Sequence, residues 1–92
     1  MTMTDAGEML EQIKDDMGLT GTYHDRKLTS CINEVIRFMR SSGVSDDKIN
    51  GAVGVVSRGA SDIFYHRPDY SAAFYKALGQ LKRESEVGNV QT

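Results

Sequence analysis

The chain has 92 residues, of which 39% are hydrophobic and 26% charged, and its formal net charge is −2 at pH 7. These values predict one folded domain with a modest core and exclude a disordered chain. There is no apolar run of about 20 residues that would span a membrane, Cys31 has no second cysteine to pair with, and the acidic balance argues against a dedicated nucleic-acid-binding protein.

The first predicted helix covers about residues 5–17, where apolar side chains recur at helical spacing. Up to Thr20 it carries five carboxylates against Lys14 alone, a local charge of −4. Gly18 is suited to end it, because glycine tolerates the left-handed conformation that follows many helices. Three acidic side chains make its polar side a candidate contact surface: Glu8, Glu11 and Asp15.

The second predicted helix covers about residues 25–42 and ends at Gly43. Its apolar stripe covers nearly half of the circumference, which indicates neighbouring helices on two sides. Ser45 then caps a third predicted helix at about residues 46–66. A strand is the alternative there, since VGVV is β-branched, but a period of two would bury Arg58 and Asp62.

Pro68 interrupts the pattern, and Ser71 caps a fourth predicted helix at about residues 72–84. Tyr70 and Tyr75 stand where a hydrophobic staple would place them. The sequence therefore predicts an all-α bundle of four main helices, with residues 1–84 as a single domain and 85–92 as a flexible polar tail. Two apolar residues of that tail, Val87 and Val90, suggest that it adds a strand to a partner, although a tail that stays disordered is an equal alternative.

Catalytic and metal-binding patterns are weak. A His24–Asp25 pair invites comparison with metal ligands, and further ligands would have to come from Asp62, His66 and Asp69. Two histidines do not supply a hydrolytic metal site, so the start of a helix is the favoured interpretation. Cys31 lies on an apolar face and is expected to be buried. We therefore expect no enzyme activity, no metal and no cofactor.

Binding to DNA by a helix-turn-helix is also disfavoured. In that motif the N-terminal end of the second helix approaches the phosphates. Here that end carries Asp46 and Asp47, which phosphates would repel.

A row of small residues is the more informative surface feature of the third predicted helix. The small residues are Gly54, Ser57 and Ser61, and the row also includes Arg58 and Tyr65. Either another helix of the same chain packs on this row, or the row is a contact between subunits. Tyr65, Tyr70 and Tyr75 near the following turn, together with Arg67, have the composition that protein interfaces favour.

Four segments, in this order, resemble the phage head–tail connector family: MLEQIKDDMGL (9–19), YHDRKLTSCINEVIRFM (23–39), GVVSRGASDIFYH (54–66) and DYSAAFYKALGQLK (69–82). In that family a short acidic helix ends in a Leu-Gly-Ile-like turn, and an Asp followed by two residues and a Leu opens the long second helix, as Asp25 and Leu28 do here. A helix ending in Asp-aliphatic-aromatic comes next, and a Ser-capped helix closes the fold. Family members often carry a longer loop before that last helix than HRPDY.

The resemblance implies a structural virion protein, assembled in the host cytoplasm and located at the head–tail interface. Such proteins form homo-oligomeric rings, commonly of twelve or thirteen subunits, beneath the portal protein. The ring extends the DNA channel and offers a docking surface for the next connector or tail protein. No membrane and no sequence-specific DNA contact is implied. A non-viral helical interaction or regulatory module is the alternative.

The charges are compatible with such a ring, which needs two different patches on each subunit. The acidic first helix is one candidate patch, and the other is basic: Arg37, Arg40, Arg58 and Arg67. An acidic channel lining would also repel the phosphates of passing DNA.

Overall fold

The computed structural model describes residues 6–90, with side chains from Gly7 to Glu86. Within that range the chain forms five α-helices and no strand: α1 (Ala6–Met17), α2 (Asp25–Ser41), α3 (Asp46–Asn50), α4 (Val53–Phe64) and α5 (Ala72–Val90). The predicted all-α class is confirmed. None of the described helices is both long and apolar enough to cross a membrane.

The core lies between α1, α2 and α4, which pack against one another, while α5 covers α4 and α3. The apolar stripes predicted from helical spacing meet there. Eight large side chains are fully buried: Ile13, Leu28, Ile32, Val35, Met39, Ile49, Val56 and Phe74. Since three helices share this centre, their outward faces point in different directions.

Two of the predicted helix ends are confirmed. Gly18 and Gly43 have φ angles of 73° and 104°, in the left-handed region that glycine adopts without a steric penalty. After each one, the next residue donates its backbone N–H back into the last turn, from Leu19 to Lys14 and from Val44 to Met39. These bonds satisfy carbonyl groups that would otherwise lack a partner.

The predicted single helix over residues 46–66 is wrong in one respect, because the structure divides it into α3 and α4. Ser45 caps α3 as predicted, accepting a hydrogen bond from the Lys48 N–H at 3.4 Å. Gly51 ends that helix, and Ala52 leaves the helical conformation at φ −125° and ψ 46°. The break changes the direction of the chain, and Ile49 and Val56 are both fully buried on either side of it.

The last helix is longer than predicted. It continues to Val90, so residues 85–90 are helical where the sequence predicted a flexible tail, and they do not offer the extended strand that was suggested for Val87 and Val90. Ser85 is buried, and its hydroxyl accepts the Ser45 N–H at 3.0 Å. An ion pair of 3.8 Å between Lys48 and Glu84 joins the same two helices. The end of α5 therefore holds α3 in place.

Lys14 has a structural role that the sequence did not indicate. Although charged, it is buried, and its Nζ lies 2.9 Å from Asp25 Oδ1 at the start of α2. It also donates to the carbonyl of Gly21 in the intervening loop. The hydrogen bond to Asp25 raises the pKa of Lys14, although burial opposes this shift. One ammonium group thus connects α1, the loop and α2.

Candidate functional site

The outward side of α4 forms one wall of an open groove of about 670 Å³. All five members of the predicted small-residue row line it, together with residues from the end of α1 and from the turn before α5. We call it the α4 groove, and its lining consists of Asp16, Met17, Gly54, Ser57, Arg58, Ser61, Asp62, Tyr65, Arg67 and Ser71.

The sequence left open whether the small-residue row packs within the chain or forms a contact between subunits, and the groove answers this in part. Gly54 and Arg58 are exposed, and a Cβ built on Gly54 meets no atom within 4 Å. Tyr65 is 52% exposed. Ser57 is buried and Ser61 half-buried, so the row is covered in part within the chain, and Gly54, Arg58 and Tyr65 are its members available for contact with another molecule.

The electrostatics of the groove depend on which charges are already paired. Arg67 Nε lies 3.6 Å from Asp62 Oδ1, and Asp62 is buried. The other oxygen of Asp62 accepts the Ser71 N–H at 2.9 Å, which fixes the start of α5. Arg58 has no ion-pair partner within residues 7–86. It is therefore a cation available to a ligand.

The acidic face of α1 lies on another side of the domain. Glu8, Glu11 and Asp15 are exposed and recur at helical spacing, opposite the buried Met9 and Ile13. Only Glu11 is near a cation, 3.8 Å from Lys14. We call this surface the acidic face.

The predicted basic residues of α2 point outward as well. Arg37 and Arg40 are exposed. Arg40 is engaged within the chain, with Nε 2.8 Å from Asp46 Oδ1. The basic residues thus divide between two surfaces, because Arg58 and Arg67 belong to the α4 groove.

Tyr70 is less available for contact with another protein than its predicted place in an interface suggested. It is half-buried and stacks on Phe74 with ring centroids 4.5 Å apart, next to Phe38 at 5.0 Å. Burial raises the pKa of Tyr70 to about 12, with the Glu34 charge as the next cause. Its contact with Tyr75, at 6.0 Å, confirms the predicted staple. Ser71 caps α5 as predicted, accepting the Phe74 N–H at 3.2 Å.

The candidate metal ligands are occupied by other contacts. The His24 ring packs edge-on against Phe64 at 5.3 Å, and Asp25 binds Lys14. His66 Nε2 lies 3.3 Å from Lys27 Nζ. Asp62, His66 and Asp69 do line a common cleft of about 430 Å³, but the described residues contain no group of three side chains that could hold a metal ion.

His66 is the one described residue other than glycine with a positive φ, at 58°. It ends α4 in the way that Gly18 and Gly43 end α1 and α2, with the Arg67 N–H bonded to the Asp62 carbonyl at 2.9 Å. The sequence pattern did not indicate this helix end, because histidine is an uncommon residue in the left-handed conformation.

Two remaining predictions have different outcomes. Cys31 is buried as expected, and burial raises the pKa of its thiol. Val87 and Val90 lie in the helical end of α5, so the strand suggested for them is wrong. Their side chains lie outside the described residues, so a contact with the portal stays a prediction.

Comparison with known proteins adds no relative: no family model matches the chain, and neither a curated protein nor a solved structure does so.

Proposed function

We propose that this chain is a head–tail connector of a phage virion, an adaptor that assembles as a ring beneath the portal. It extends the DNA channel and presents a docking surface to the next connector or tail protein. The observation that carries the proposal is the placement of opposite charges on separate outward faces of one helical block. The acidic face is on α1, and the unpaired Arg58 is on α4.

A closed ring of identical subunits requires two different surfaces on each copy that fit each other. The charges of these two faces would orient the encounter between copies more than they would hold the ring together. Small residues along α4 allow a partner to approach the helix closely, and Tyr65 supplies the aromatic area that interfaces favour. The resemblance of the four sequence segments identifies the class of assembly.

The direct test is a mass measurement of the 10.2 kDa protein alone and with the portal ring of the same virion. We expect a discrete complex in which twelve or thirteen copies bind one portal ring. A mass equal to that of one free copy in both samples, at concentrations well above micromolar, would contradict the proposal. A small defined complex with a different protein would favour an interaction module instead.

A second test concerns the channel. Changing Glu8, Glu11 and Asp15 to lysine replaces repulsion of DNA phosphates by attraction. If the acidic face lines the channel, rings of this variant retain DNA at low salt and release it as salt increases. If the acidic face joins neighbouring copies instead, the variant forms no ring. The matched control changes three other exposed carboxylates, Glu34, Asp47 and Glu86, to lysine, which gives the same change in charge. An equal DNA affinity of the wild-type and acidic-face variants would exclude the acidic face as a channel lining.

A further inference from the structure

The floor of the α4 groove is open to a large occupant. Gly54 leaves its Cβ position empty, and Ser57 and Ser61 follow it along the groove. Short side chains at this spacing let the backbone of a second helix come close. The space alone does not identify the occupant.

The Ser57 side chain adds a polar group to the groove. Ser57 is only 6% exposed and lines the groove. Its side chain forms no hydrogen bond with any other described residue. Among the described residues, Asn50 Nδ2 is the one fully buried side-chain polar atom without a partner, so the Ser57 hydroxyl oxygen is accessible and can bind a polar group that enters the groove.

The groove lining holds two arginines and two aspartates, and its unpaired cation, Arg58, favours an anionic acceptor. Arg58 is unpaired, and Arg67 is 60% exposed beside Asp62. The first turn of α4 contains no acidic residue, and Ala52 supplies no capping side chain. The positive end of that helix dipole therefore remains uncompensated next to Gly54. Asp16 on the facing rim directs an anionic helix toward the arginine side.

We propose that the α4 groove is the socket for the acidic face of α1 from a second copy of this chain. This inference deepens the proposed ring and rests on it, because it names the two surfaces that join neighbouring subunits. Glu8, Glu11 and Asp15 give the incoming helix three carboxylates on one side. The groove and the acidic face share no residue, although the end of α1 contributes Asp16 and Met17 to the groove, so each copy can bind one neighbour with each surface.

Disulfide trapping between two copies, each with one introduced cysteine, tests this contact without the portal. One copy carries Gly54→Cys in the groove, and a tagged copy carries Gln12→Cys, an exposed position within the acidic face. The native Cys31 is buried, with a raised thiol pKa, and gives little background. Under mild oxidation we expect about tenfold more mixed dimer than with an unrelated cysteine pair.

The matched control replaces Gly54→Cys by Gly79→Cys, a helical glycine on α5 where a Cβ also fits without a close contact. Arg58→Glu in the groove copy should reduce the yield, and Glu11→Lys in the tagged copy should then restore it. Both side chains are exposed, so neither change threatens the fold. Equal yields from the Gly54 and Gly79 pairs, or no effect of Arg58→Glu, would overturn the inference.

The result is separable from the test of the ring on the portal. If rings form on the portal but the Gly54 and Gln12 pair does not cross-link preferentially, the socket is wrong and the adaptor proposal stands. If the pair cross-links as expected but no ring forms on the portal, the contact between copies stands and the adaptor proposal is wrong.

Discussion

The two sides of α4 use glycine in opposite ways. On the inner side, Gly59 is buried, and a Cβ built there lies 2.7 Å from Phe74 Cε1 and 3.0 Å from Val35 Cγ1. On the outer side, Gly54 is exposed and faces empty space. Gly59 lets α2, α4 and α5 pack closely, whereas Gly54 leaves room for something outside the chain. The same residue type therefore marks a core contact on one side and a candidate binding surface on the other.

The largest effect is expected from Gly59→Ala. The added methyl group has to displace the fully buried ring of Phe74 or a methyl group of Val35. Overpacking of this kind costs about 2 to 3 kcal/mol of unfolding free energy, more than the gain in helix propensity returns. Urea unfolding followed by circular dichroism measures it. A stability equal to that of the wild type would mean that α4 is not held as closely as the structure indicates.

Asp62→Ala tests a residue that belongs to both sides of α4, because Asp62 is buried and also lines the α4 groove. Removing the carboxylate leaves the Ser71 N–H without its acceptor and Arg67 without its counter-ion. We expect a loss of about 1 to 2 kcal/mol of unfolding free energy. Asp69→Ala, which removes an exposed carboxylate from the same turn, is the control and should cost less.

Gly54→Ala is expected to have a small effect of the opposite sign. The new methyl group meets no atom within 4 Å, and alanine favours the helix. We expect the unfolding free energy to rise by up to about 1 kcal/mol. A loss of stability would show that the outer side of α4 is packed within the chain and is not an open groove.

The smallest effect concerns the hydrogen bond between Tyr75 and Asp69, whose oxygens lie 2.6 Å apart. Asp69 lines the 430 Å³ cleft and not the α4 groove. The hydrogen bond from the Tyr75 hydroxyl is the main cause that lowers the pKa of Asp69, and the bond from the Tyr70 N–H is the next. These two bonds therefore stabilise the folded state fully above pH 3.8, the ordinary pKa of an aspartate. This stabilisation is lost as the pH falls through the lowered pKa of the folded state. At the alkaline end the same bond raises the pKa of Tyr75, so its contribution is lost as the pH rises through that raised value.

Tyr75→Phe removes the donor and should raise the pKa of Asp69 toward its ordinary value. An NMR titration of the Asp69 carboxyl carbon measures this shift. Tyr23→Phe, at a phenol that is 90% exposed, is the matched control and should leave Asp69 unchanged. If both variants titrate alike, the bond between Tyr75 and Asp69 is not maintained in solution.

The sequence by itself determined the all-α class and most helix ends, because local patterns decide them. Apolar residues at helical spacing predicted the buried stripes, and Ser45, Ser71, Gly18 and Gly43 marked ends through their own hydrogen bonding and φ preferences. It also identified the members of the groove on α4 as one row. Each of these features depends on residues that are close together in the chain.

Only the tertiary structure decided the features that depend on distant neighbours. The break at Gly51–Ala52 occurs where α3 turns to pack against α5, and the extension of α5 past Glu84 accompanies the bond between Ser85 and Ser45. The buried Lys14 needs Asp25 and the Gly21 carbonyl to satisfy its charge. The space beside Gly54 and Gly59 also depends on the tertiary structure, because helices far along the chain determine which atoms lie next to each glycine.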